Sequence, residues 1–77
     1  MTMEEARFRE AFTVLHASKR LKAMVFAESV GVTKSYISHT VNETYRPVPV
    51  GWFGELCRSY GVSAEWLLTG NGDMLCK

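Results

Sequence analysis

Residues 23–42 read AMVFAESVGVTKSYISHTVN, and this stretch decides the fold. Apolar residues fall at helical rather than alternating spacing on both sides of a central glycine. The spacing predicts a short helix over Ala23–Val30 that stops at Gly31, which can take the positive φ of a helix C-terminus. Thr33 then caps a second helix, Thr33–Asn42. Two short helices joined at a glycine must cross at a steep angle, and that crossing constrains the residues that can stand there. The first helix needs a small side chain at the closest approach, and Ala27 is there. Gly31 follows at the fourth residue, and Ile37, ten residues after Ala27, is placed to insert beneath the first helix. Phe26, Val30, Val32 and Val41 fill the remaining inward positions.

This is the spacing of a helix-turn-helix, in which the second helix is presented to a DNA major groove. Alone it also fits an αα-hairpin of a small bundle, so the flanks carry weight. Thr2 with Glu5 forms a capping-box pattern opening a helix to about Ala17, with Phe8, Ala11, Phe12 and Leu15 on one stripe. Lys19, Arg20 and Lys22 make a basic linker around Leu21. After a loop over 43–49, a fourth helix spans Val50–Tyr60 with Phe53, Leu56, Cys57 and Tyr60 on one face. A fifth, Ser63–Thr69, is broken by Gly70-Asn71-Gly72. Val48-Pro49-Val50 has local strand character, but its prolines remove ladder donors and no partner strand is visible, so it reads as an extended connector. The expectation is an all-α bundle of five short helices over residues 1–70, with 71–77 a flexible tail or the start of a linker.

Composition narrows the field. At 77 residues there is room for one hydrophobic core. A formal charge of +1 argues against a bulk nucleic-acid coat and against an acidic disordered tail. No apolar run of about 18 residues exists to span a membrane. Glu4, Glu5 and Glu10 crowd the start, where a secretory signal would need an apolar stretch. Cys57 and Cys76 are too few for a disulfide framework or a paired zinc signature, so no metal and a reducing cytoplasm are expected. His16 and His39 fall on different helices, neither cysteine has a nearby His and acid partner, and the glycines stand singly. Neither an enzyme nor a cofactor or small-molecule ligand is expected.

From about residue 5 to 72 the chain resembles the Cro/phage-repressor helix-turn-helix family. Its lysogeny-repressor branch commonly closes on the pattern found here in Gly61-Val62-Ser63 and Trp66-Leu67-Leu68-Thr69-Gly70. The resemblance implies a lambda-repressor-like five-helix domain that binds double-stranded DNA at specific sequences and represses transcription, usually as a homodimer on palindromic operators. In longer repressors a linker begins where residues 71–77 stand. The chain departs from the pattern at several places. Lys22 and Ala23 replace a Ser/Thr cap and a phosphate-contacting Gln, Thr40 occupies a position more often aliphatic, and His16 takes one that often bears Arg.

With Ile37 and Val41 inward, Lys34, Ser35, Ser38 and His39 face away from the core and are the expected base-contacting residues. Lys can donate to guanine O6 and N7, and Ser to either sort of base edge. Lys22, Thr33, Tyr36, Asn42, Thr44, Tyr45 and Arg46 surround the same surface as candidate phosphate contacts, which position a reader without specifying sequence. The alternative for the base-contacting set is an ordinary solvated helix face, and for Tyr45 packing on the prolines. Trp52, Phe53, Trp66 and Leu67 read first as core, with Trp52, Trp66 and Leu67 also candidates for a dimer seam. Residues 19–46 carry five basic side chains against two acidic ones, while the rest carries four against six, so the +1 conceals a basic middle and an acidic remainder. A protein-interaction adaptor, antitoxin- or antirepressor-like, is the competing function, because fold alone does not settle it. Such an adaptor has no need of a basic surface centred on the third helix.

Overall fold

The structure, a computed structural model, describes residues 2–43 and 46–75. Among them are five α-helices: α1 (Met3–Ala17), α2 (Ala23–Val30), α3 (Lys34–Asn42), α4 (Val50–Tyr60) and α5 (Ala64–Thr69). The chain is all-helical, its principal extents 31 × 25 × 20 Å. Local chemistry accounts for the helix starts. The Thr2 hydroxyl accepts the Glu5 N–H while the Glu5 carboxylate accepts the Thr2 N–H, closing the capping box at α1. Thr33 and Ser63 cap α3 and α5 through the amides of Tyr36 and Trp66. Both residues stand just outside their helices, which begin one residue after the expected starts.

The turn after α2 follows the expected chemistry. Gly31 holds φ at 78°, and the Val32 N–H donates to the Ala27 carbonyl at 2.9 Å. The turn after α1 reaches the same geometry without glycine. Lys19 sits at φ 64°, its N–H bonded to the His16 carbonyl, while the Arg20 N–H reaches back to the Leu15 carbonyl at 3.0 Å. That pair of bonds is a Schellman closure with lysine in the left-handed position.

The core is built around Phe8. Its ring meets Phe12, Phe26, Trp52 and Phe53 at centroid separations of 5.4–6.3 Å, joining α1, α2 and α4. Leu15, Leu21, Ile37, Leu56, Val62 and Leu67 complete it, all at most 1% exposed. Each such side chain contributes about 1.5–3 kcal/mol of apolar transfer. α3 packs against α2, α1 against α5, and α4 against both α2 and α5.

This packing corrects two expectations, the dimer seam and the loose tail, and widens two others. Trp52 and Leu67 are 3% and 1% exposed within the single chain, so neither has surface left for a dimer seam; Trp66 is half-buried against the same core. The inward face of α4 is wider than expected: Phe53, Cys57 and Tyr60 are half-buried and pack on the core, and Trp52 and Glu55 are buried beside Leu56. On α3 it is Thr40 that is buried and Val41 that is half-buried. Residues 71–75, the described part of the segment 71–77 expected as a flexible tail or the start of a linker, return to the domain. The Ser63 N–H donates to the Met74 carbonyl at 2.8 Å, Leu75 forms an antiparallel bridge with Val62, and both Met74 and Leu75 pack on the core. Thr44, Tyr45, Cys76 and Lys77 lie outside the described residues.

Candidate nucleic-acid interface

α3 presents one polar face. Ile37 and Thr40 turn inward, and Lys34, Ser35, Tyr36, Ser38, His39 and Asn42 are all exposed. The four residues expected at base edges therefore share one accessible surface. Within it, Asn42 Nδ2 donates to Ser38 Oγ at 3.3 Å, one helical turn apart. His39 Nδ1 lies 3.6 Å from Glu43 Oε1, and Arg46 Nε donates to Glu43 Oε2 at 3.1 Å. Arg46 and His39 thus share one carboxylate at the end of α3. The positive potential of that end is reduced accordingly, and among the described residues the lysines without an acidic partner lie toward the start of the helix.

There the basic residues cluster. One recess of about 290 Å³ is lined by His16, Lys19, Leu21, Lys22, Ala23, Met24 and Lys34. A neighbouring recess of about 300 Å³ runs between α1 and α3 and shares His16, Ala23 and Lys34 with it. Lys22 ends the linker in extended conformation with no side-chain cap on α2. The first intrahelical bond is from the Phe26 N–H to the Lys22 carbonyl, so the amides of the first turn are left to solvent or a ligand. Open helix amides, the positive end of the helix dipole and nearby lysines together favour an anion. Thr33 spends its hydroxyl oxygen on the Tyr36 amide and keeps its hydroxyl hydrogen to donate. Tyr36 is 45% exposed, with its ring edge-on to Trp52 at 5.8 Å.

Sequence reasoning did not select His16 or Lys19 as interface residues. The recess lining assembles both with Lys34, 15–18 residues away in the chain, and only the helix crossing reveals it. The left-handed backbone of Lys19 is a signal that no periodicity argument carries. Thr44 and Tyr45, expected as phosphate contacts, fall outside the described residues.

The rest of the molecule offers little chemistry of its own. Among the described residues, no three His, Cys, Asp or Glu side chains gather as a metal would require. Among the same residues no helix is long and apolar enough to cross a membrane. An open apolar groove of about 590 Å³ lies between the start of α1, α4 and α5, and Glu4 and Glu5 are the charged residues that line it. Comparison with protein-family models, with curated proteins and with solved structures finds no match for this chain.

Proposed function

We propose that the protein is a sequence-specific double-stranded DNA binder, a phage-repressor-like transcriptional regulator that reads a major groove with α3. The observation that carries this reading is the co-location of His16, Lys19, Lys22 and Lys34 around the uncapped start of α2 and the exposed start of α3. An α-helix fits a B-DNA major groove, and the flanking cations and open amides are chemically suited to the phosphates beside it. In this reading α2 and α3 form a helix-turn-helix. Lys34, Ser35, Ser38 and His39 address base edges, while Lys22, Thr33, Tyr36 and Asn42 hold the backbone. A homodimer on a palindromic operator would separate half-sites by about 34–36 Å.

The decisive experiment is selection of bound sites from a randomised duplex library, followed by salt titration on the enriched sequence. A palindromic consensus and affinity falling steeply with salt are the expected results. Retention of every sequence alike, or affinity unmoved by salt, would sink the reading in favour of a protein-binding adaptor.

A further inference from the structure

We infer that Arg9 of α1 is the positioning residue for α3: it fixes the far end of that helix and so sets where His39 and Asn42 meet whatever the helix docks against. The inference rests on the DNA-reading proposal for its functional consequence, and on geometry alone for its structural part.

The two ends of α3 are held differently. The near end is secured beside the Gly31 turn by the Val32-to-Ala27 backbone bond, the Thr33 cap and the fully buried Ile37. The far end is nine residues on, or about 13 Å. There Arg9, 7% exposed, donates from Nε and Nη2 to the Thr40 carbonyl at 3.2 and 3.0 Å. The same Nη2 reaches the carbonyls of Glu43 at 3.3 Å and Arg46 at 2.7 Å. Three carbonyls spaced three residues apart thus converge on one guanidinium from another helix. The cation also faces the negative end of the α3 dipole, which strengthens the arrangement.

Arg9 Nη1 is buried with no partner. Among the described residues, every hydrogen bond of this guanidinium therefore goes to the carbonyls of Thr40, Glu43 and Arg46. Nη2 reaches all three carbonyls, and Nε adds a second bond to Thr40 that fixes the plane of the guanidinium; lysine would offer one compact charge without that second nitrogen. A helix secured at one end and released at the other swings about the secured end. Lys34 and Ser35, beside the pivot, would move least, and His39 and Asn42 most.

The test uses the full chain carrying Arg9→Lys and, separately, Arg9→Met. Hydrogen exchange on the free protein comes first. The amides of Glu43, bonded to the His39 carbonyl, and of Arg46, bonded to the Glu43 carbonyl, should exchange at least about tenfold faster, the scale of one lost charge-assisted bond. The amides of Val32 and Ile37 should keep their protection. Equal loss through all helices would mean Arg9 is merely stabilising, and no change would mean it positions nothing; either overturns the inference. Should Arg9→Met fail to fold, Arg9→Lys carries the measurement.

Site selection comes second. The variants should relax preference at the positions that His39→Ala relaxes and keep it at those that Lys34→Ala relaxes; uniform weakening would overturn the functional part. A wild-type chain that binds no DNA would end the DNA reading and leave the exchange result to decide the structural part.

Discussion

The Glu5 carboxylate accepts the Val48 backbone N–H at 2.9 Å, joining the first turn of the protein to the connector before α4. The same carboxylate closes the α1 capping box, and these two backbone bonds, to Thr2 first and Val48 second, hold it below the usual carboxylate pKa against a smaller opposing effect of burial. Glu55, 5% exposed, is also lowered, chiefly by the Ser59 hydroxyl at 2.7 Å, with burial opposing and Arg58 assisting. A carboxylate whose pKa is lower folded than unfolded contributes stability above its unfolded pKa and loses it as pH falls through the folded one. Resistance to urea should therefore be flat near neutrality and drop between about pH 5 and 3. Glu5→Gln should flatten part of that drop, and an unchanged acid limb in this variant would contradict the assignment.

Arg7 performs at α5 what Arg9 performs at α3. Its Nε and Nη2 donate to the carbonyls of Leu67 and Leu68 at 2.8 and 3.0 Å, closing the end of a six-residue helix. Arg7→Ala should cost about 1–2 kcal/mol, discounted for partial exposure, and Arg7→Lys should recover only part of it. Denaturant midpoints of the two variants check this.

At Gly31 an added Cβ would meet nothing within 4 Å, so the cost of Gly31→Ala comes from its φ of 78° alone. The expected loss is about 1–2 kcal/mol. A neutral effect in thermal unfolding would show that the α2–α3 turn relaxes to another geometry.

Lys19 poses the reverse case. It holds φ 64°, and Lys19→Gly should stabilise the fold by roughly 1 kcal/mol by relieving the left-handed strain. On the proposed function the same change should lower the salt slope of DNA binding by about one. Gain of stability with loss of affinity would mark Lys19 as kept for its charge; unaltered affinity would remove it from the interface.

Lys34 and Lys22 line one recess yet should behave differently on DNA. Lys34→Ala should cost about 1–3 kcal/mol at one base position and relax preference there. Lys22→Ala should weaken all sequences alike. Competition binding against single-base operator variants separates the two patterns.

Helix existence and order were legible from periodicity, caps and glycine stops, because those signals are local. Thr2, Thr33 and Ser63 all act as the caps their positions suggested. The misplaced features depend on distant partners. Thr40 is buried beside the expected, half-buried Val41. Arg9 carries no local signal of its role, which exists only where the end of α3 is brought against it. Met74 and Leu75 resemble a loose tail after two glycines, and only the neighbouring Val62 and Ser63 give them a docking edge. The polar face of α3 followed from the sequence; its extension to His16 and Lys19 required the end of α1 and the linker after it to be brought beside the start of α3.

The charges around α1 have a kinetic consequence. Glu4 and Glu5 lie in its first turn, and His16, Lys19 and Lys22 gather at and beyond its other end, roughly 20 Å away at 1.5 Å per residue. That separation is twice the distance over which 0.1 M salt screens a charge, about 10 Å. On the proposed DNA-reading function, the field of a polyanion in dilute buffer would turn the lysine-bearing end forward before contact. In concentrated salt this alignment vanishes, and encounters become orientationally random.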